Sequence, residues 1–385
     1  MNRIIPLSAA GYSALSCLRA EGPGIRGLVQ RLFRPGSSQG WKHLGAGEPV
    51  FGHWKQHDGE EIVVSIVGEG VVEIQCHGGT VSRDLLIDSF LAEGCELVGW
   101  EAWMKETAVN PIEAAATRAL TNARTHRVAM ILIDQLRGAL QNAIERIVDC
   151  LAQRDLASAK SGLESLITQS STGTHLESGW SVAFIGSPNA GKSSLINAIL
   201  GFQRAIVLSQ PGTTRDLLTA RTALEGWPIE LVDTAGLRSG GESLEAMGME
   251  LALQQASRSD LVLLVADASC AWTVEQDRWR SRFPNVLIVH NKQDLSSHYP
   301  GARPDGIPTI AIAATGVEHL CAEIVRRTVG HPPAHGVAVP FTHAQAEEIG
   351  NALALVEADQ IRDATSLLLR VLQADEDTFR PPIDL

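Results

Sequence analysis

Eight residues, GSPNAGKS at 186–193, have the types and spacing that bind nucleotide phosphates. They follow an apolar run at 182–185 and precede the run SLINAIL at 194–200, so we expect a strand, a glycine-rich loop and a helix in that order. Backbone N–H groups of such a loop converge on a phosphate at a helix N-terminus, whose dipole favours an anion. Lys192 should reach the β- and γ-phosphates, and Ser193 should ligate Mg²⁺. The candidate nucleotide contacts in this loop are Asn189, Ala190, Gly191, Lys192, Ser193 and Ser194.

Two motifs further along could hold the metal ion and sense the γ-phosphate. DTAG begins with Asp233, directly after an apolar strand candidate, and ends with Gly236. The carboxylate of Asp233 could hold Mg²⁺ through water, and the Gly236 amide could sense the γ-phosphate. The motif GTTRD contains Thr213 and Thr214. Thr214 is the candidate second hydroxyl ligand of Mg²⁺, available only when a γ-phosphate orders its loop, and Thr213 is a further candidate nucleotide contact.

A fourth motif, NKQD, has the chemistry to select guanine. It begins at Asn291 after a strand candidate, and Asp294 could accept hydrogen bonds from the guanine N1–H and N2–H₂ donors. Asn291 would contact N7 or brace the phosphate loop, and the stem of Lys292 would cover one face of the base. By itself this tetrapeptide is more often a solvated turn, but its place as the fourth motif in order favours base reading. The serine-alanine pair that usually follows is present only as Ala313-Ala314, so a contact to guanine O6 would come from the backbone N–H of Ala313 or a shifted equivalent.

Four motifs in this order predict a GTPase of the α/β P-loop class. The residue after DTAG is Leu237, at the position where Ras-type GTPases carry the glutamine that orients the attacking water. Hydrolysis therefore needs another group to orient the attacking water.

The blocks GSPNAGKSSLINAILGFQRAIVLSQPGTTRD, DTAGLR and LEAMGMELA resemble the G domain of the MnmE (TrmE) family of tRNA modification GTPases. The resemblance implies that an asparagine of the phosphate loop, here Asn189, coordinates a potassium ion where other enzymes place an arginine, and that residues 208–213 close over this ion. It also implies a catalytic glutamate twelve residues after the DTAG aspartate, which is Glu245. Glu242 competes for this role, and residue types alone favour solvated charges for both. The candidate catalytic residues are Glu245, Asn189 and Gly236.

The same resemblance implies GTP or GDP, Mg²⁺ and K⁺ as ligands, and a homodimer in which the G domains pair across the ion. It implies work on the wobble uridine of tRNA with an FAD-dependent partner protein and a folate one-carbon donor. Residues 72–79, VEIQCHGG, are similar to the family's tetrahydrofolate-binding domain. The family's glycine-rich opening and the loop before this strand are absent or shortened here, which weighs against binding of a tetrahydrofolate derivative. His77 within the strand is equally compatible with a functional and a structural role.

Family members usually end in phenylalanine-cysteine-isoleucine-glycine-lysine, whose cysteine is needed for modification. This chain ends in RPPIDL and has no cysteine after Cys321. We therefore expect a tRNA modification GTPase or, as the alternative, a GTPase switch or assembly factor that has lost the modification chemistry. A non-catalytic GTP-binding module is a third possibility, against which the phosphate and Mg²⁺ residues argue.

Composition limits the class of protein. A net charge of −12 over 385 residues argues against a broadly basic nucleic-acid surface, so RNA contact needs a local patch. The six cysteines show no C-x-x-C spacing, which indicates reduced core thiols and no zinc site. Without a signal segment or an apolar run of about eighteen residues, we expect a cytoplasmic protein with no membrane partner. The candidate basic patch, which would otherwise be the solvated face of a helix, comprises Arg118, Arg124, Arg127 and Arg137.

The chain is too long for one G domain of about 150 residues. We expect an α/β P-loop GTPase domain inserted in a helical bundle and preceded by an α+β N-terminal domain. The predicted boundaries are 1–105 for the folate-binding-like, dimerising unit, 106–178 for the first helical half, 179–330 for the G domain and 331–385 for the second helical half. In the first unit we predict strands at 51–55, 61–67, 70–76 and 95–103 and a helix at 82–92. One helical stripe should join Leu132, Leu136, Leu140, Ile144 and Ile147.

Overall fold

The computed structural model describes residues 1–8, 11–45, 47–55, 59–202, 219–233, 253–298 and 303–373. The chain forms two compact units, Met1–Val109 and a second that begins at Asn110.

The first unit is built on a mostly antiparallel sheet that has seven strands within the described residues, in the order β3-β4-β5-β6-β2-β1-β7. In β2, alternate residues Ser16, Leu18 and Ala20 point to the core, as expected for a strand with one covered face. The strands are β1 Arg3–Pro6, β2 Leu15–Glu21, β3 Phe33–Pro35, β4 Val50–Trp54, β5 Glu61–Gly68, β6 Val71–His77 and β7 Glu96–Leu97. The helices are α1 Ile25–Leu32, α2 Gly40–Gly45, α3 Thr80–Ala92 and α4 Trp100–Thr107.

The predicted strand at 95–103 is wrong beyond its first residues. Only Glu96–Leu97 pairs as β7, in parallel with β1, and the chain then turns into helix α4. Gly99 caps α4 in an extended conformation, and the following residues are mostly good helix formers. Met104 is the one buried residue of this helix, so the local helix propensity after Gly99 decides this segment.

The second unit starts with helices α5 Pro111–Thr121, α6 His126–Leu136, α7 Ala139–Ala152 and α8 Leu156–Gly173. The single stripe predicted from Leu132 to Ile147 is wrong as one helix, because Gly138 adopts a left-handed conformation (φ 95°) and separates α6 from α7. Leu132, Leu140 and Ile144 are nevertheless fully buried on either side of that break.

Two helices near the end of the described chain, α12 His343–Glu357 and α13 Ile361–Leu372, pack on the earlier helices. α12 contacts α8, and α13 contacts α7 and α5. The segment that leads into α12 is fixed by the end of α6. The buried Gln135 donates to Val337 O and accepts from Val339 N, and Asp134 accepts from Gly336 N. The described helices include none that is both long and apolar enough to cross a membrane.

Between these helices lies a sheet that has six strands in the described ranges, in the order β13-β12-β11-β8-β10-β9, with only β9 antiparallel to its neighbour. Its strands are β8 Trp180–Ile185, β9 Thr219–Leu224, β10 Trp227–Asp233, β11 Leu261–Asp267, β12 Val286–Asn291 and β13 Ile307–Pro308. The strands β8 and β11 are almost completely buried, as parallel strands covered on both faces require. The accompanying helices are α9 Lys192–Phe202, α10 Val274–Arg282 and α11 Val317–Thr328.

The expectation of core thiols holds for half of the cysteines. Cys76, Cys95 and Cys321 are buried, and burial raises the pKa of Cys76 and of Cys321 to about 11. Cys270 is exposed, because it lies in the turn that follows β11, and Cys17 and Cys150 are half-buried.

At its amino edge the sheet is tied to the helices by an aromatic and ionic cluster. Trp180 stacks on His175 (centroids 5.0 Å apart) and meets Trp227 edge-on at 5.5 Å. Arg127 of α6 lies over the Trp227 ring at 5.2 Å, so this arginine is used in packing. Asp260 accepts from the backbone N and Oγ of Ser181.

His175 and Asp260 form an ion pair in this cluster. Nδ1 of His175 faces Ser171 O at 2.9 Å and Nε2 faces Asp260 Oδ1 at 3.1 Å, so both ring nitrogens meet acceptors and the protonated ring is favoured. The hydrogen bond to Asp260 raises the pKa of His175 above its ordinary 6.5. Burial disfavours the carboxylate of Asp260, but the bonds from His175 and Ser181 hold its pKa below 3.8.

We expect this pair to make stability depend on pH. The contribution of His175 is complete below its ordinary pKa and is lost as the pH rises through the raised value. The contribution of Asp260 is lost only as the pH falls through its lowered value. The substitution His175→Gln should therefore reduce the fall in Tm as the pH rises above 6.5, measured by thermal unfolding. The control is His319→Gln, at an exposed histidine of α11, which should keep the wild-type pH dependence; an equal fall in all three proteins would contradict the assignment.

Candidate functional site

The phosphate loop is shaped by two glycines whose positive φ and close neighbours disfavour any side chain. Gly186 has φ 143°, and a Cβ there would lie 2.2 Å from Val265 O of β11. Gly191 has φ 92°, and its Cβ would lie 2.2 Å from the side chain of Asn291. The loop therefore passes close to the neighbouring backbone on one side and to the base motif on the other.

Lys192 begins helix α9 with its side chain folded back over the loop. It is buried, and Nζ donates to Gly186 O and Ser187 O, both at 2.9 Å. A buried ammonium group needs acceptors of this kind. The two loop carbonyls provide them in the loop that would also surround a bound phosphate. Asn189 is exposed in the loop with φ 62°, and Ala190 is buried beneath it.

The two predicted Mg²⁺ residues within the described chain lie together. Ser193 Oγ donates to Asp233 Oδ2 at 2.6 Å, although forty residues separate them. Ser193 is at the start of α9 and Asp233 at the carboxyl end of β10, and parallel strands bring their carboxyl ends to one edge of the sheet. A hydroxyl and a carboxylate are hard oxygen ligands of the kind Mg²⁺ takes, so the residues fit this ion.

Asn291 connects the phosphate loop with the base motif. It is 2% exposed; its Nδ2 donates to Ala190 O at 3.0 Å, and its Oδ1 accepts from Ala311 N at 3.0 Å. A third bond, from Thr309 Oγ1, also reaches Oδ1. The bond from Nδ2 to Ala190 O is the contact expected if Asn291 braces the phosphate loop.

The remaining base-motif residues lie at the same carboxyl edge of the sheet. Lys292 has φ 59° and pairs with Asp267 of β11, and Asp294 is exposed in the 3-10 helix Gln293–His298. Ala313 is exposed at the end of a second 3-10 helix, Ala311–Ala313, where its N–H donates to Ile310 O. The neighbouring Ile312 is 88% exposed.

Sequence comparison identifies the family. A family model described as 50S ribosome-binding GTPase matches residues 181–292. The tRNA modification GTPase MnmE of a Synechococcus strain is 30% identical over 363 residues, which cover 83% of this chain and 78% of the relative. That of Parasynechococcus marenigrum is 30% identical over 396 residues, 91% and 86% of the two chains. The chain belongs to the MnmE family of tRNA modification GTPases.

As an MnmE-family GTPase the chain is a GTP-hydrolysing enzyme, with GTP or GDP and Mg²⁺ as its ligands. Solved structures with similar parts include the G domain of the T. maritima FeoB iron transporter, which is 24% identical, covers 38% of this chain and 98% of its own, and has a TM-score of 0.29.

Several predicted site residues of this MnmE-family chain lie outside the described residues. They are Thr213 and Thr214 of the GTTRD motif, Gly236 of DTAG, and both glutamate candidates, Glu242 and Glu245.

Sequence reasoning missed two residues that the structure places in the site, Thr309 and Asp267. The signal for Asp267 was available, since it ends the apolar run LVLLVAD as Asp233 ends its own strand. Thr309 carries no such signal, because it contacts Asn291 only through the fold.

In the first unit, His77 is exposed at the end of β6 and its Nδ1 pairs with Glu60 at 2.8 Å. The arginines of the candidate basic patch are partly engaged in packing or ion pairs: Arg118 with Glu177, Arg124 with Ser178 O, and Arg127 with Trp227.

Proposed function

We propose that this MnmE-family enzyme hydrolyses GTP in a potassium- and magnesium-dependent way, in the cytoplasm, as part of the modification of the tRNA wobble uridine. The proposed assembly is a homodimer that works with an FAD-dependent partner protein. The observation that carries the proposal is the convergence of Lys192, Ser193, Asp233 and Asn291 on one edge of the sheet, in a chain whose relatives are tRNA modification GTPases.

In the proposed mechanism, the ammonium group of Lys192 moves from the loop carbonyls and contacts the β- and γ-phosphates. Ser193 would ligate Mg²⁺, and Asp233, which is already in contact with Ser193, would hold the ion through water. Thr214 would add a second hydroxyl when the γ-phosphate is bound. When bound, Mg²⁺ neutralises charge that develops on the phosphate oxygens. Gly236 senses the γ-phosphate, and Asn291 braces the phosphate loop through Ala190 O. Lys292, Asp294 and the backbone N–H of Ala313 or a shifted equivalent read the base.

Asn189 is the proposed potassium ligand. Its φ of 62° and its exposure place its amide at the surface of the loop, where a cation between two G domains would have access to it. An asparagine tolerates this left-handed conformation better than most residues, and its side-chain oxygen is a hard ligand suited to K⁺. Glu245 is proposed to orient the attacking water, because Leu237 cannot.

Turnover should rise about tenfold or more when Na⁺ is replaced by K⁺ at constant ionic strength, because a fixed positive charge near the transferring phosphoryl group lowers the barrier. Asn189→Gly should abolish this rise and keep GDP affinity, since glycine retains the positive φ and only the amide is removed. Rb⁺, which is close to K⁺ in size, serves as a second test cation. Equal rates in Na⁺ and K⁺ would rule out the potassium site.

The Glu245→Ala variant should lose about a hundredfold in kcat with GTP affinity nearly unchanged, because the carboxylate would act only in the transition state. Single-turnover hydrolysis in potassium buffer measures this. Glu242→Ala is the matched control and should retain wild-type turnover; the opposite pattern would assign the role to Glu242.

We also propose the domain arrangement expected from the sequence, with the G domain (179–330) inserted between helical segments 106–178 and 331–385 and preceded by the unit 1–105. The packing of α12 on α8 and of α13 on α5 and α7 supports one helical bundle made from both segments. The bonds of Gln135 and Asp134 to residues 336–339 support it further.

Deleting the gene should remove the wobble-uridine modification from tRNA, as measured by mass spectrometry of tRNA nucleosides. Expression of the wild-type chain should restore it, and Lys192→Ala should not, because phosphate binding would be lost. Unchanged modification in the deletion strain would instead favour the alternative, a GTPase switch or assembly factor that has lost the modification chemistry.

A further inference from the structure

The ammonium group of Lys292 is held by a carboxylate that none of the four nucleotide motifs contains. Lys292 Nζ lies 2.6 Å from Asp267 Oδ2, and the two side chains are 33% and 18% exposed. Strands β11 and β12 are parallel, and their register places Asp267 beside Asn291. The carboxylate therefore comes to the base motif from the neighbouring strand end.

Asp267 is itself held in orientation. Its Oδ1 accepts from Ser269 N at 2.9 Å and from Ser269 Oγ at 2.6 Å, and its carbonyl closes a turn with Cys270 N. This turn is fixed to β12 by a bond of 2.7 Å from Ala268 N to Asn291 O, and Arg303 donates to its carbonyls at Ala268 and Cys270. Rotation of the carboxylate would break bonds to Ser269 as well as to Lys292.

The charge of Asp267 is consistent with its pairing with Lys292. Burial disfavours the Asp267 carboxylate, but the hydrogen bonds from Lys292 and Ser269 hold its pKa below the ordinary value. Asp267 is thus ionised at neutral pH. Lysine has a flexible four-carbon stem with much rotamer freedom, which an ordered partner removes before a ligand binds.

We propose that Asp267 is a positioning residue for guanine nucleotide binding. It draws the Lys292 ammonium to the β11 side, so that the apolar stem of Lys292 is presented to the face of the base. The left-handed backbone of Lys292 (φ 59°) is a strained conformation for a lysine, of the kind that the surrounding structure must maintain at a functional site. This inference rests on the proposed base site formed by Asn291, Lys292 and Asp294. The competing interpretation is an ordinary surface ion pair, which contributes little.

The test is Asp267→Asn in the full-length chain. The amide keeps the shape and can still accept from Ser269, but its N–H₂ group faces the Lys292 ammonium, so two donors meet. We expect GDP to dissociate about tenfold faster and KM for GTP to rise by a similar factor, while kcat at saturating GTP stays unchanged. Inorganic tripolyphosphate, which has no base, should bind as tightly as to the wild type. Glu275→Gln, at an exposed carboxylate in the first turn of α10, is the matched control and should change none of these values.

A second experiment tests whether Asp267 acts through Lys292. In the Lys292→Met background, which keeps an unbranched apolar stem and removes the charge, Asp267→Asn should accelerate GDP dissociation no further. The same tenfold acceleration in that background would overturn the proposal. So would an unchanged dissociation rate in the single variant, or a parallel loss of tripolyphosphate binding, which would indicate general destabilisation.

The proposed base site is tested separately by Asp294→Asn, which exchanges an acceptor for a donor and should shift preference from guanine toward xanthine nucleotides. If that shift occurs and Asp267→Asn has no effect, only the positioning role fails. If guanine preference stays unchanged in Asp294→Asn, the base site itself fails.

Discussion

One buried amide, that of Asn291, joins the two halves of the nucleotide site. It donates to the phosphate loop at Ala190 O and accepts from the segment after β13 at Ala311 N, with Thr309 as a third partner. Each of these groups is buried, so removing the amide would leave donors and acceptors unpaired at about 1–3 kcal/mol each. The positions of the phosphate loop and of the segment after β13 are therefore coupled through this side chain.

This coupling depends on two close approaches at the phosphate loop. Gly186 lies against the backbone of β11 and Gly191 against Asn291, at separations that leave no room for a side chain. The parallel sheet then supplies the charged groups, because each strand that ends at this edge can deliver one side chain. Asp233 ends β10 and meets Ser193, while Asp267 ends β11 and meets Lys292. Two parallel strand ends thus place one carboxylate beside a serine hydroxyl and another beside a lysine.

The opposite edge of the sheet has a different task. There the indoles of Trp180 and Trp227, the His175–Asp260 pair and Arg127 join the nucleotide-binding part to the helices. Farther along, the polar side chains at the end of α6 fix the chain before α12. The candidate nucleotide site and the contacts that attach the helices therefore lie on opposite edges of the sheet.

The sequence by itself determined the nucleotide chemistry. The phosphate loop, Asp233 and the base motif are short, contiguous patterns whose geometry is local, and their order along the chain fixes the type of domain. The buried strands β8, β10 and β12 also follow from local apolar runs. In contrast, strand propensity did not give the limits of all elements in the first unit, as the helix at Trp100–Thr107 demonstrates.

Only the tertiary structure decided which distant residues meet. The pairing of Asp267 with Lys292 follows from the register of β11 on β12, and the contact of Arg127 with Trp227 follows from the packing of α6 on the sheet. The break between α6 and α7 comes from the left-handed backbone of Gly138, which the continuous apolar stripe does not predict. The physical reason is common to the two pairings: periodicity reports which face of an element is apolar, whereas partners and registers depend on contacts between segments far apart in the chain.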